Sequence, residues 1–150
     1  MQCPMPTINI NEQKELKNIL QECKKIAIVG LSPNPEKDSH KVGKYLKEAG
    51  YKIYPIYPKE ESILGEKVYR SLSEIKDEID TVNMFRKPSI ADELVKEIAL
   101  RDDVKCLWLQ LGIVNNEAAK KAQDLGIKVV QNRCIKIEHE RQREKDDSFK

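Results

Sequence analysis

The sequence has no run of apolar residues long enough to cross a bilayer. Its longest such runs, Ile26–Val29 and Cys106–Leu111, fall far short of the ~20 residues a membrane helix needs. An excess of one charge is also missing: 27 Lys and Arg oppose 25 Asp and Glu, for a formal net charge of +2. No global field therefore draws the chain to nucleic acid or an anionic membrane, and any anion site must be local. The four cysteines, Cys3, Cys23, Cys106 and Cys134, form no C-x-x-C pair, and there are only two histidines. That scatter argues against a structural zinc site and makes free thiols the expectation in a reducing compartment. The opening MQCPMPTINI has neither a basic n-region nor an apolar h-region, so no secretory signal is expected and the expected location is cytoplasmic.

What is present is alternation. Five short apolar runs, Ile26–Val29, Lys52–Tyr57, Thr81–Phe85, Lys105–Leu109 and Ile127–Gln131, read as buried strands. Between them lie helical spacings: Val42, Tyr45, Leu46 and Ala49; Ile90, Leu94, Val95 and Ile98; Ala118, Ala119, Ala122 and Leu125. Gly50 and Gly126 stand where helices should end, Ser39 and Asn115 are candidate N-caps, and Pro88 suits a first helical turn. Alternating strand and helix implies an α/β fold: a Rossmann-like three-layer sandwich with a central parallel sheet of about five strands. Residues 11–23 form an expected leading helix with Leu16, Ile19, Leu20 and Cys23 on one face, packed on the sheet edge. Residues 60–78 are less regular and suggest a short turn or strand, then one helical turn capped by Ser73. The expected organisation is a leading segment over 1–24, one domain over 25–138 and a charged tail over 139–150 with a frayed end.

In an open parallel sheet, ligands bind beyond the carboxyl ends of the strands, where strand order reverses. The first such loop, from Gly30-Leu31-Ser32 towards Ser39, can turn backbone N–H groups and a helix start towards a phosphate, unless it is an ordinary βα turn. The fingerprint G-x-G-x-x-G is absent, with Pro33 and Pro35 nearby, which disfavours NAD. After the second strand the chain reads Tyr57-Pro58-Lys59. An acid would suit a ribose diol there, whereas Lys59 suits an extra 2′- or 3′-phosphate or is simply solvated. Arg86, after the third strand, is placed to clamp a pyrophosphate or to pair with Asp92. Trp108 reads as core, with Gln110 and Gly112 as better ligand candidates. Gln131-Asn132-Arg133-Cys134 ends the fifth strand; Cys106 reads as packing, and Cys134 as packing or a ligand neighbour. His40 and His139 are expected at the surface, and no catalytic triad, carboxylate pair or metal cluster is legible.

Taken in order, Ile28-Val29-Gly30-Leu31-Ser32, Pro55-Ile56-Tyr57-Pro58-Lys59, Leu107-Trp108-Leu109-Gln110-Leu111-Gly112 and Asn132-Arg133-Cys134 resemble the stand-alone CoA-binding domain proteins. These are relatives of the nucleotide-binding domain of the succinyl-CoA synthetase α-subunit. The resemblance runs from about Ile26 to Glu138 and implies coenzyme A as the ligand. It implies that Gly30, Leu31 and Ser32, with Ser39 and Lys41 at the next helix start, hold the pyrophosphate. Tyr57, Pro58 and Lys59 would meet the 3′-phosphate side. Phe85 and Arg86 would line the adenine and phosphate region, and Gln110, Gly112, Asn132 and Cys134 the pantetheine arm. Small members often carry Asn where this chain has Tyr57, and Asp where it has Asn132. The synthetase's phosphorylated histidine lies in a domain this chain lacks, so the expectation is a small-molecule binding module without catalytic residues, either alone, as a homodimer or with a partner protein.

Three other readings stay open. An NADP-dependent oxidoreductase would use Lys59 for the 2′-phosphate but needs a substrate domain. Thiol chemistry would join Cys134 to the CoA thiol as a mixed disulfide. A partner-binding scaffold would have kept the fold and lost the ligand.

Overall fold

The structure, a computed structural model, describes residues 10–145 of the 150-residue chain. Expectations about Cys3 and about the end of the tail lie outside those residues. The elements are α1 (Ile10–Glu22), β1 (Lys25–Val29), α2 (Asp38–Glu48), β2 (Lys52–Ile56), β3 (Ser62–Ile63), β4 (Glu66–Lys67), a 3₁₀ turn (Leu72–Glu74), β5 (Thr81–Met84), α3 (Ile90–Ala99), β6 (Cys106–Leu109), α4 (Asn116–Asp124), β7 (Lys128–Val130) and α5 (Ile135–Lys145). All five expected strands form, each within a residue or two of its expected ends. They make one parallel sheet in the order β2-β1-β5-β6-β7. Near-continuous burial of β1, β2, β5 and β6 follows from helices covering both faces, while the edge strand β7 is buried only at Val130.

One face packs Leu16, Ile19 and Leu20 of α1, Cys23 just after it, Val42 and Leu46 of α2, and Ile135 of α5 over Ile26, Ile28, Trp108 and Val130. The other packs Leu94, Val95 and Ile98 of α3 and Ala118 and Ala122 of α4 over Ala27, Val29, Val82, Leu107 and Leu109. The leading helix therefore lies on a sheet face, not on the sheet edge. Its four-residue apolar stripe needs a broad surface to bury it, and the strand faces supply one.

Several local expectations are corrected. The N-cap of α2 is Lys37, not Ser39, whose hydroxyl instead turns back to accept from the Ser32 N–H at 3.0 Å. The 3₁₀ turn is entered through Ser71, so Ser73 lies within it. Pro88 precedes α3, where its carbonyl accepts from the Ala91 N–H. Asn115 does cap α4, accepting from the Ala118 N–H at 3.0 Å, and Gly50 and Gly126 follow helix ends with positive φ. Residues 62–67 form a β-hairpin around Leu64-Gly65, both at positive φ as a two-residue turn of this kind requires.

The boundary drawn after Glu138 falls inside α5. Glu138, His139 and Gln142 of that helix are buried, so charge density misrepresents residues 139–145 as a tail. His139 is correspondingly not a surface histidine: it is 5% exposed, lies 2.7 Å from the Tyr45 hydroxyl through Nδ1, and stacks edge-on against Tyr45 and Tyr51. Burial depresses its pKa below the ordinary histidine value; Arg143 adds to that, and Glu140 opposes it.

Candidate functional site

The first crossover from β1 leads outward to β2, and the next returns to β5 on β1's other side, so strand order reverses between β1 and β5. The loops after β1 and β5 therefore frame the switch point at which open parallel sheets bind their ligands. Two glycines without a fingerprint draw the chain together there. Gly30, at φ +87°, donates to the Ile56 carbonyl at 2.8 Å; a Cβ there would stand 2.8 Å from Arg86 Cδ and 3.3 Å from the Phe85 carbonyl. Gly43, inside α2, would place a Cβ 2.8 Å from Leu31. The first lets the β1 loop lie against the β5 loop, and the second lets α2 close down on it. Gly43 escaped the sequence reading; its signal was a lone glycine within a helical spacing.

Beyond Gly30 the loop is self-bonded. Asn34 N–H donates to Ser32 Oγ, and Glu36 N–H to Asn34 Oδ1. His40 Nδ1 lies 2.9 Å from the Ser32 carbonyl, which only accepts, so that nitrogen carries the proton. The start of α2 has no side-chain cap, leaving first-turn N–H groups facing the loop. Lys41 is exposed one turn further on, while Leu31 and Ser39 are buried. Their side chains hold the loop from inside.

After β2, Tyr57 is half-buried and Pro58 and Lys59 are exposed. This loop is held by Arg70, another residue the sequence reading missed, whose Nη1 donates to the carbonyls of Tyr57 and Lys59 at 2.9 Å each. No short-range spacing links Arg70 to Lys59; a parallel bridge between Ile56 and Tyr69 brings them together. After β5, Phe85 is half-buried and Arg86 and Lys87 are exposed. Asp92, the acid considered for Arg86, is instead reached by Asn115 Nδ2 at 3.3 Å.

The last two loops are joined to each other. Gly112, at φ +86°, donates to Asn132 Oδ1 at 2.7 Å, and Asn132 itself adopts φ +59°. Trp108, fully buried as expected, donates from Nε1 to the Arg133 carbonyl at 2.8 Å. Gln110 is 4% exposed, and its Oε1 accepts from the Ile135 N–H at 3.0 Å and Asn83 Nδ2 at 3.1 Å. Its oxygen therefore faces inward, and the side chain braces the rim from beneath instead of bordering the crevice. Cys134 is half-buried against the face that carries α1, α2 and α5. Burial pushes the Cys23 thiol up to about 12 and the Cys106 thiol well above the ordinary thiol value. Among the described residues no group of three His, Cys, Asp or Glu side chains is placed to hold a metal ion, and no helix is long and apolar enough to cross a membrane.

The sheet order agrees with comparisons to known proteins. Residues 24–140 match the CoA binding domain family. The chain is 42% identical over 129 residues to the uncharacterized protein YneT of Bacillus subtilis, covering 83% of this chain and 92% of that one. A hypothetical protein from Pyrococcus horikoshii OT3 superposes with a TM-score of 0.84 at 42% identity, covering 91% of this chain and 97% of that one. The acetate–CoA ligase (ADP-forming) of Methanocaldococcus jannaschii is 26% identical over 121 residues, which is 76% of this chain but 17% of the ligase. With the family match spanning every strand of the sheet and all five carboxyl-end loops, the chain belongs to the CoA binding domain family.

Proposed function

We propose that this protein binds coenzyme A, free or as an acyl ester, in the crevice between β1 and β5. The observation that carries this reading is the conjunction of the family match over residues 24–140 with a strand-order switch point whose surrounding loops carry exposed cations. The binding unit is the parallel sheet with the helices that cover it, α5 included through Lys145, and α1 packed on the same face as α5. In this reading the Gly30–Ser32 backbone, the uncapped start of α2 and Lys41 receive the pyrophosphate, as helix starts favour anions. Tyr57, Pro58 and Lys59 meet the phosphorylated ribose, and Phe85 and Arg86 lie beside the adenine and phosphates. Gly112, Asn132 and Cys134 border the pantetheine arm, with Ser39, Leu31 and Gln110 supporting those loops from inside. No catalytic residue is assigned, and the place of action is the cytoplasm.

Thermal unfolding measured with CoA, acetyl-CoA, NADPH and NAD tests the proposal. Ligand at about a hundredfold its dissociation constant stabilises a native state by roughly 2.7 kcal/mol, a shift of several degrees for a domain of this size. The reading expects CoA to raise the midpoint and Lys59→Ala to shrink the rise. A rise with NADPH alone would replace it with the oxidoreductase, and no rise with any of the four would leave a scaffold.

A further inference from the structure

The end of β2 is where this class of fold meets the ribose. An acid there reads a diol, and an arginine beside it accommodates a phosphate. Two cations occupy that place although sequence separates them: Lys59 at the tip of the loop, and Arg70, which a parallel bridge between Ile56 and Tyr69 sets alongside. The backbone confirms the juxtaposition, with Tyr57 N–H donating to the Tyr69 carbonyl at 3.0 Å and Tyr69 N–H to the Pro55 carbonyl at 2.9 Å. Arg70 is exposed. Both protons of its Nη1 are taken by the Tyr57 and Lys59 carbonyls. Its Nε and Nη2 protons have no acceptor, and neither Arg70 nor Lys59 forms an ion pair, among the described residues.

We propose that Arg70 is a specificity-determining residue that reads the ribose phosphate of the ligand together with Lys59. The inference rests on the CoA reading and deepens it. A guanidinium whose one nitrogen is fixed on two carbonyls is held in orientation, so its remaining edge is presented without further loss of freedom. That edge matches two phosphate oxygens, which a lysine alone cannot do. The same two bonds fix the backbone that carries Lys59, and the loop bends immediately after it, at Glu60, with φ +71°.

The test is the ratio of affinities for CoA and dephospho-CoA, measured by titration calorimetry on the full chain carrying Arg70→Ala, Arg70→Gln or Lys59→Ala. Gln retains a donor for the loop carbonyls and removes the charge. Loss of a charge-assisted hydrogen bond lowers affinity by roughly tenfold to a hundredfold. The expected result is a loss of that order for CoA in both Arg70 variants, with dephospho-CoA unchanged. Equal losses for the two ligands would mean that Arg70 only holds the loop, and no loss for either would also overturn the proposal. A wild-type protein that binds CoA and dephospho-CoA equally refutes the role of Arg70 and leaves the CoA reading standing; one that binds neither refutes the CoA reading itself.

Discussion

Replacing Gln110 with methionine tests whether the rim is braced from beneath. Methionine approximates the volume of glutamine, so packing is little disturbed, but the oxygen that accepts from Ile135 N–H and Asn83 Nδ2 is lost. Ile135 is fully buried, and a buried donor left without an acceptor costs about 1–3 kcal/mol. Asn83 Nδ2 retains a longer contact of 3.4 Å to the Trp108 carbonyl, which puts its share at the low end. Together the loss is about 3 kcal/mol, or roughly 6–12 °C in the unfolding midpoint of a chain of this length. Circular dichroism melting without ligand measures it, and hydrogen exchange at the Ile135 amide should accelerate in parallel. A midpoint within about 2 °C of wild type, combined with a large loss of CoA affinity, would refute the bracing argument and make Gln110 a ligand group.

Two further outcomes follow from buried titratable groups. Burial holds His139 neutral in the fold, so protonation favours the unfolded chain: stability is full above the unfolded histidine value and falls as pH drops through it towards the folded value. Chemical denaturation between about pH 7 and pH 5 should show a steeper loss in wild type than in His139→Phe, which keeps the ring contacts with Tyr45 and Tyr51; parallel curves would refute it. Among Cys23, Cys106 and Cys134, a thiol reagent at about pH 8 should label only Cys134 quickly in native protein carrying Cys3→Ser, because the other two are buried with raised pKa values. Fast labelling of Cys23 or Cys106 would show that the α1 face opens readily.

The strands, α2 to α4 and the positions of the loops that follow the strands were legible in the sequence because they depend on periodicity and on residues that end elements. Apolar runs such as Ile26–Val29 and Ile53–Ile56 are buried on both faces and carry that burial as continuous hydrophobicity. Gly50, Asn115 and Gly126 act within a few residues of themselves, which is the range that sequence spacing covers.

What the tertiary structure alone decided is how distant groups meet. The charge of residues 139–145 reads as a tail, yet α1 and α2 offer a surface on which Glu138, His139 and Gln142 are buried. Gln110 reads as a rim residue, but whether its amide faces the crevice or the interior depends on Asn83 and Ile135, 27 and 25 residues away. Arg70 meets Lys59 only because the segment after the hairpin runs back along β2. Local propensity and hydrophobic period act along the chain and are written in it. Side-chain direction and partner choice are set by which elements pack together, and only the folded chain brings those elements into contact.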